Sequence, residues 1–107
     1  MLFRSLLQAG RADAVAALTR LQAAQEQHRS AHGLYAAQLG ALRGVGAVSP
    51  EGRYTVSMAL AGPEGYRATA TARDGGPQTG DRECIELTLQ VVQGFASPGP
   101  SARCWRR

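Results

Sequence analysis

The segment from Arg11 to Gly33, RADAVAALTRLQAAQEQHRSAHG, constrains the fold of this chain more than any other stretch. It is rich in alanine, leucine, glutamine and glutamate, which are strong helix formers, and it contains no proline. Val15, Leu18 and Leu21 recur at helical spacing and form an apolar stripe. Gly33 can take the left-handed conformation that ends a helix. The segment therefore predicts one long amphipathic helix over about residues 11–33.

The part of the chain after about residue 53 alternates between apolar and polar side chains, as strands do when one face of a sheet is buried. The stretches RYTVSMALA, YRATATAR and CIELTLQVV show this period, and the connectors GPEG and DGGPQTGD are rich in turn residues. This pattern predicts three antiparallel strands in chain order. The inward positions are expected to be Tyr54, Val56, Met58, Leu60, Tyr66, Ala68, Ala70, Ala72, Ile85, Leu87, Leu89 and Val91.

The order of these elements predicts a single domain of the α+β class. A chain of 107 residues is long enough for one core but short for two. Neither the helix nor the sheet can bury its apolar face alone, so the sheet should pack against the apolar stripe of the helix. We expect the helix at about 11–33, a loop at about 34–52, and the sheet with the C-terminal region at about 53–107.

The basic residues of this chain are all arginines, and they give it a net charge of +4. Arginine suits phosphate contact because its planar guanidinium presents several donors. Most of the arginines are scattered along the sequence, and only Arg103, Arg106 and Arg107 cluster. The positive charge alone is therefore weak support for nucleic-acid binding.

Other candidate sites in the sequence are weak. His28 and His32 have a spacing that can place two imidazoles on one metal ion, but no third ligand is evident, and we expect both to be solvated or packed. Asp74 and Asp81 flank a glycine-rich turn without EF-hand spacing, and aspartate is common in turns. No nucleophile motif or phosphate-binding loop occurs. We predict no catalytic activity, no metal site and no cofactor.

Cys84 and Cys104 are the only cysteines of the chain. Their number and separation fit neither a four-cysteine zinc site nor a C-x-x-C redox motif, which leaves two free thiols or one disulfide. The tail between them has no core pattern of its own, and a bond closing a loop of about 20 residues would stabilise the domain by roughly 3 kcal/mol. We favour the disulfide, with two unpaired buried thiols as the alternative.

The order of these features resembles the soluble part of a type IV pilin, and most closely the PilE-like minor pilins of Gram-negative bacteria. The matching stretches are RADAVAALTRLQAAQEQHRSAHGLYA, SPEGRYTVSM, GYRATATA, DRECIELTLQVVQG and the terminal CW, over about residues 11–105. The positions that match the family pattern are Arg11, Asp13, Leu21, Gln22, Asp81, Cys84, Gly94, Cys104 and Trp105.

The resemblance implies a pilin-like fold, with one long N-terminal helix on a three- to four-stranded antiparallel sheet and a C-terminal region bounded by a Cys84–Cys104 disulfide. It also implies a structural subunit, a minor pilin that is incorporated into a surface filament or primes its assembly, for adhesion, twitching motility or DNA uptake. Its partners would be other pilin subunits, through the N-terminal helix, and the pilus assembly machinery. Its location would be extracytoplasmic, in the periplasm or the fibre.

Residues 1–10, MLFRSLLQAG, depart from the family pattern. The prepilin leader, the methylated phenylalanine, the early glutamate and the apolar segment of roughly 20 residues that anchors pilins are not found in this sequence. Two origins remain open for residues 1–10, a vector-derived segment and a divergent start. We expect inner-membrane contact before assembly only through the missing N-terminal segment.

A second function has its own basis in the sequence. Arg82, Arg103, Arg106 and Arg107 are close in sequence to the two cysteines, so a disulfide would gather them in space. Arginines that are gathered in this way could contact the phosphates of DNA. A DNA-binding competence pilin is therefore kept as the alternative to a purely structural minor pilin.

Overall fold

The computed structural model describes the backbone of residues 2–106 and the side chains of residues 5–106. It has one long helix, a four-stranded sheet and a short C-terminal helix, which confirms the α+β class and the pilin-like architecture. The elements are α1 (Leu2–His32), β1 (Tyr54–Leu60), β2 (Gly65–Ala72), β3 (Glu86–Val92), β4 (Phe95–Gly99) and α2 (Ala102–Trp105). Short 3-10 turns occur at Leu39–Ala41, Pro77–Gly80 and Arg82–Cys84.

Helix α1 begins at Leu2 rather than near residue 11, so the predicted start is too late. The added turns contain leucine, glutamine and alanine but no proline, and such residues continue a helix readily. Gly10 leaves room on α1 for the side chain of Gln78, because a Cβ atom at this position would clash with Oε1 of Gln78. The predicted end is confirmed, since α1 ends at His32 and Gly33 has a φ of +84°. Within the described residues, no helix is long and apolar enough to cross a membrane.

The sheet is an antiparallel meander in the order β1-β2-β3-β4. Strand β4 was not predicted from the alternation, because its side chains from Phe95 to Pro98 are all exposed and carry no inward apolar pattern. It is held instead by backbone pairing with β3, in which Leu89 lies opposite Pro98. Edge strands of this kind leave little trace in a sequence.

The core lies between α1 and the face of the sheet that packs against it, here called the inner face. The predicted stripe of Val15, Leu18 and Leu21 is buried, and the small side chains of Ala68 and Ala70 on β2 let the helix approach closely. The other buried strand residues that were predicted are Tyr54, Val56, Tyr66, Ala72, Leu87, Leu89 and Val91.

Three predicted inward positions differ from the expectation. Ile85 is 42% exposed, because it follows a 3-10 turn in a helical backbone conformation and the alternation of β3 begins only at Glu86. Leu60 is 47% exposed at the last position of the edge strand β1, where it pairs with Tyr66. Met58 is half-buried and packs against the core.

Candidate nucleic-acid interface

A disulfide bond joins Cys84 to Cys104, as favoured from the sequence. The sulfur atoms are 2.11 Å apart, the Cα atoms are 5.5 Å apart, and both residues are fully buried. The bond ties α2 to the 3-10 turn that leads into β3. Trp105 adds a second attachment, because its Nε1 donates a hydrogen bond of 2.9 Å to the carbonyl of Gly99. The C-terminal tail is therefore fixed against the sheet.

The disulfide brings three of the four predicted DNA-contacting arginines to neighbouring grooves. Arg82 and Arg103 line one groove of about 400 Å³, and Arg103 and Arg106 line another of about 830 Å³. Arg11 lines both grooves. The side chains of Arg82, Arg103 and Arg106 are exposed, and together they form what we call the arginine surface. Arg107 lies outside the described residues.

The floor of the arginine surface is a buried ion pair between Arg11 and Asp81. Nε of Arg11 donates to Oδ2 of Asp81 at 2.8 Å, and Nη2 donates to Oδ1 at 2.9 Å. The hydrogen bonds to Asp81 raise the pKa of the Arg11 guanidinium, and they outweigh the opposing effect of burial. Because both oxygens of Asp81 are engaged, the pair fixes the turn at Asp81 to α1.

Glu83 lies between the buried ion pair and the arginine surface. Its Oε1 is 3.0 Å from Nη1 of Arg103, and its Oε2 is 3.7 Å from Nη2 of Arg11. From the interior to the solvent, negative and positive side chains therefore alternate in the order Asp81, Arg11, Glu83 and Arg103. This chain of charges connects α1 with α2 across the grooves.

Sequence reasoning did not identify the roles of Arg11, Asp81 and Glu83. Asp81 was assigned to a turn, whereas the structure shows it buried and ion-paired with α1. One signal was available for Arg11, which precedes Val15 and Leu18 by four and seven residues and so lies on the apolar stripe. A charge at such a position needs a buried partner.

Asp13 holds the start of the sheet to α1. Its carboxylate accepts hydrogen bonds from the hydroxyl of Ser49 and from the backbone amides of Glu51 and Arg53, the latter two at 2.8 and 3.0 Å. The Ser49 hydroxyl in turn accepts from the amide of Tyr54 at 2.9 Å. A buried carboxylate thus anchors the loop before β1, whereas in the sequence Asp13 was recognised only as a position that matches the family pattern.

Gln25 fixes the other end of the same loop. Its side-chain amide donates to the carbonyl of Ala36 at 3.0 Å and accepts from the amide of Ala36 at 2.8 Å. Gln25 is fully buried, and these two bonds satisfy both ends of its amide group. The loop therefore has a defined path over the helix at each end.

The remaining candidate residues stay apart from the arginine surface. The rings of His28 and His32 are 4.4 Å apart near the end of α1, and Nδ1 of His28 donates to the carbonyl of Leu34 at 2.9 Å. Asp74 is exposed in the connection between β2 and β3. Among the described residues, no group of three or more histidine, cysteine, aspartate or glutamate side chains is placed to hold a metal ion.

One protein-family model matches this chain over residues 3–88. The family is described as "Type IV minor pilin ComP, DNA uptake sequence receptor". The match covers nearly all of α1, the loop, β1, β2 and the first part of β3, so it includes Arg11, Asp13 and Arg82. A comparison with individual curated proteins found no match.

Proposed function

The chain belongs to the family of type IV minor pilins described as ComP, DNA uptake sequence receptor, and on this premise we propose that it contacts DNA directly through the arginine surface. The family description names a type IV minor pilin and a receptor for the DNA uptake sequence, and on this basis we propose an extracytoplasmic subunit that acts in DNA uptake with other pilins. The proposal extends this role by assigning the contact to Arg82, Arg103 and Arg106. It involves binding and assembly, without a catalytic step or a cofactor.

The observation that carries the proposal is that the disulfide gathers exposed arginines from two distant parts of the sequence. Arg82 is the first residue of the 3-10 turn that ends at Cys84, and Arg103 and Arg106 flank Cys104. Because the cysteines are bonded and buried, the backbone segments that carry the two groups of arginines are held near each other. A surface that is ordered before binding loses less conformational entropy when DNA binds.

The chemistry of the arginine surface suits a phosphate backbone. Each guanidinium can donate two parallel hydrogen bonds to phosphate oxygens. Arg11 is already engaged by Asp81, so it contributes its charge to the floor of the grooves and leaves phosphate contact to the three exposed arginines. Contacts to phosphates fix the position of a protein on a duplex, whereas recognition of sequence needs further contacts to base edges.

We further propose that α1 joins the subunit to the filament. The support for this role is the family match, which includes most of α1, and the apolar side chain of Leu6 is 62% exposed near the start of that helix. Insertion in the inner membrane before assembly, and contact with the assembly machinery, would use the apolar N-terminal segment that is expected of pilins. We propose residues 11–107 as the globular domain, preceded by the first turns of α1, which the family match includes from residue 3.

The salt dependence of binding to duplex DNA tests this function. If three arginines contact phosphates, the logarithm of the affinity should fall against the logarithm of the salt concentration with a slope of about −2.7. Fluorescence anisotropy of a labelled duplex, titrated between low and moderate salt, would measure the slope. A protein that does not bind duplex DNA at low salt would contradict the proposal.

A further inference from the structure

The ion pair between Glu83 and Arg103 lies directly beside the disulfide. Glu83 precedes Cys84 in the chain, and Arg103 precedes Cys104, so the bond restrains the backbone on both sides of the pair. The guanidinium of Arg103 is held at 3.0 Å from Oε1 of Glu83, although the side chain of Arg103 is 68% exposed. Within the described residues, Arg103 is thus the member of the arginine surface that already forms an ion pair, with Glu83.

The second oxygen of Glu83 limits the movement of its carboxylate. Oε2 lies 3.7 Å from Nη2 of Arg11, and Arg11 is itself fixed by two hydrogen bonds to Asp81. Two guanidinium groups thus attract the two oxygens of the same carboxylate. This arrangement keeps Glu83 next to Arg103 more firmly than an isolated pair between two flexible surface side chains.

A carboxylate and a phosphate oxygen use the same donors of a guanidinium group. A phosphate that binds Arg103 must therefore displace Glu83 or share the guanidinium with it, and the negative charge of Glu83 repels the incoming phosphate. We infer that Glu83 competes with phosphate groups for Arg103 and so lowers the affinity of the arginine surface for anions. As it concerns DNA, this inference rests on the proposed function.

The inference predicts that loss of the Glu83 charge strengthens binding. Replacement of Glu83 by glutamine (Glu83→Gln) should tighten binding of a short duplex DNA about threefold at low salt, within the range expected for one surface ion pair. The salt dependence should be at least as steep as in the unmodified protein, because Arg103 no longer has to leave Glu83 before it contacts phosphate. In an Arg103→Ala background the same replacement should lose its effect.

Glu86→Gln is the matched control. Glu86 is exposed at the start of β3, three residues from Glu83, and its replacement changes the net charge by the same amount. A general effect of net charge would tighten DNA binding equally in both variants, whereas competition for Arg103 would not. Thermal unfolding of each variant checks that the fold is retained.

A second measurement, without DNA, separates this inference from the proposed function. Inorganic phosphate is titrated while the Nε–Hε signal of Arg103, assigned by its loss in Arg103→Lys, is followed by NMR. We expect the signal to respond at about threefold lower phosphate in Glu83→Gln than in the unmodified protein or Glu86→Gln.

The outcomes of the two measurements are distinct. If Glu83→Gln responds to phosphate as expected but no variant binds DNA, the competition stands and the proposed DNA contact fails. If the unmodified protein binds DNA but Glu83→Gln behaves like Glu86→Gln in both measurements, the competition is overturned and the DNA contact stands. Weaker binding of DNA or phosphate by Glu83→Gln would also overturn it, because Glu83 would then be presenting Arg103 to the anion.

Discussion

The side chains of Arg11 and Asp81, 70 positions apart in the sequence, meet in a two-point ion pair beneath the arginine surface. The pair joins the first half of α1 to the turn that leads into the disulfide. It satisfies a charge that helical spacing places on the buried side of the helix. The position of the arginine surface relative to α1 therefore depends on a contact between two segments that are far apart in the sequence.

Removal of one partner of this pair should destabilise the domain. Asp81→Asn removes the nearer counter-charge of the Arg11 guanidinium and leaves only Glu83, at 3.7 Å. We expect the free energy of unfolding to fall by about 3 kcal/mol, at the low end for buried pairs because Glu83 remains and Arg11 also lines the grooves. Replacement of both residues by apolar ones, Arg11→Met with Asp81→Leu, should recover most of this loss. Urea unfolding measures both, and a change below about 0.5 kcal/mol in Asp81→Asn would be incompatible with a structural pair.

Loss of the Asp13 contacts should lower the stability of the whole domain and loosen the loop before β1. Asp13→Ala removes the acceptor for Ser49 and for the amides of Glu51 and Arg53, and we expect a loss of about 2–4 kcal/mol in stability. Amide hydrogen exchange should rise at Glu51 and Arg53. Asp74→Ala is the control, because Asp74 is exposed, and equal effects in the two variants would refute the anchoring role of Asp13.

The buried tyrosines Tyr54 and Tyr66 should make the domain less stable in alkali. Burial raises the pKa of both hydroxyls, although the hydrogen bond from Gln78 opposes the shift at Tyr54. The folded state therefore keeps protons that the unfolded state loses above about pH 10, so stability is complete below that pH and falls above it. Above about pH 10 the free energy of unfolding should fall by up to about 1.4 kcal/mol per pH unit for each tyrosine.

Unfolding by urea at a series of pH values from 8 to 11 would measure this loss. In Tyr66→Phe the free energy of unfolding should fall less steeply with pH, because phenylalanine does not titrate and only Tyr54 then contributes. A slope that is the same in Tyr66→Phe would show that Tyr66 is not responsible.

Loss of the disulfide should weaken both stability and DNA binding. The bond closes a loop with a sequence separation of 20, and Cys84→Ser with Cys104→Ser should cost about 3 kcal/mol in the free energy of unfolding. Arg103 and Arg106 would then no longer be held near Arg82, so DNA affinity should fall at a temperature where the variant is still folded. Full DNA affinity in a folded variant without the bond would show that the disulfide does not organise the arginine surface.

The sequence predicted those parts of the fold that rest on local periodicity. Val15, Leu18 and Leu21 repeat at helical spacing, and the alternation in β2 from Tyr66 to Ala72 is regular, so both buried faces were recognised. Strand β4 was missed because it is held by backbone pairing, which leaves no side-chain pattern. The prediction that Ile85 points inward was wrong, because the 3-10 turn before β3 shifts the start of the alternation.

The candidate site was predictable only in outline. The sequence predicted that Arg82, Arg103 and Arg106 lie near one another, because each is close in sequence to one of the two cysteines that form the disulfide. In the structure these arginines line two adjoining grooves. The partners Asp81 and Glu83 could not be assigned, because their contacts with Arg11 and Arg103 depend on how distant segments dock. Local patterns do not contain that information.

Charge reversal tests the DNA contact most directly. Arg82→Glu, Arg103→Glu and Arg106→Glu, combined in one variant, place negative charges where phosphates would bind. The control combines Arg20→Glu, Arg67→Glu and Arg73→Glu, which change the net charge by the same amount at exposed positions outside the arginine surface. The affinity for a short duplex DNA at low salt is then compared between the two variants. We expect the first variant to lose binding and the control to retain most of it, whereas equal losses in both would contradict a DNA contact at the arginine surface.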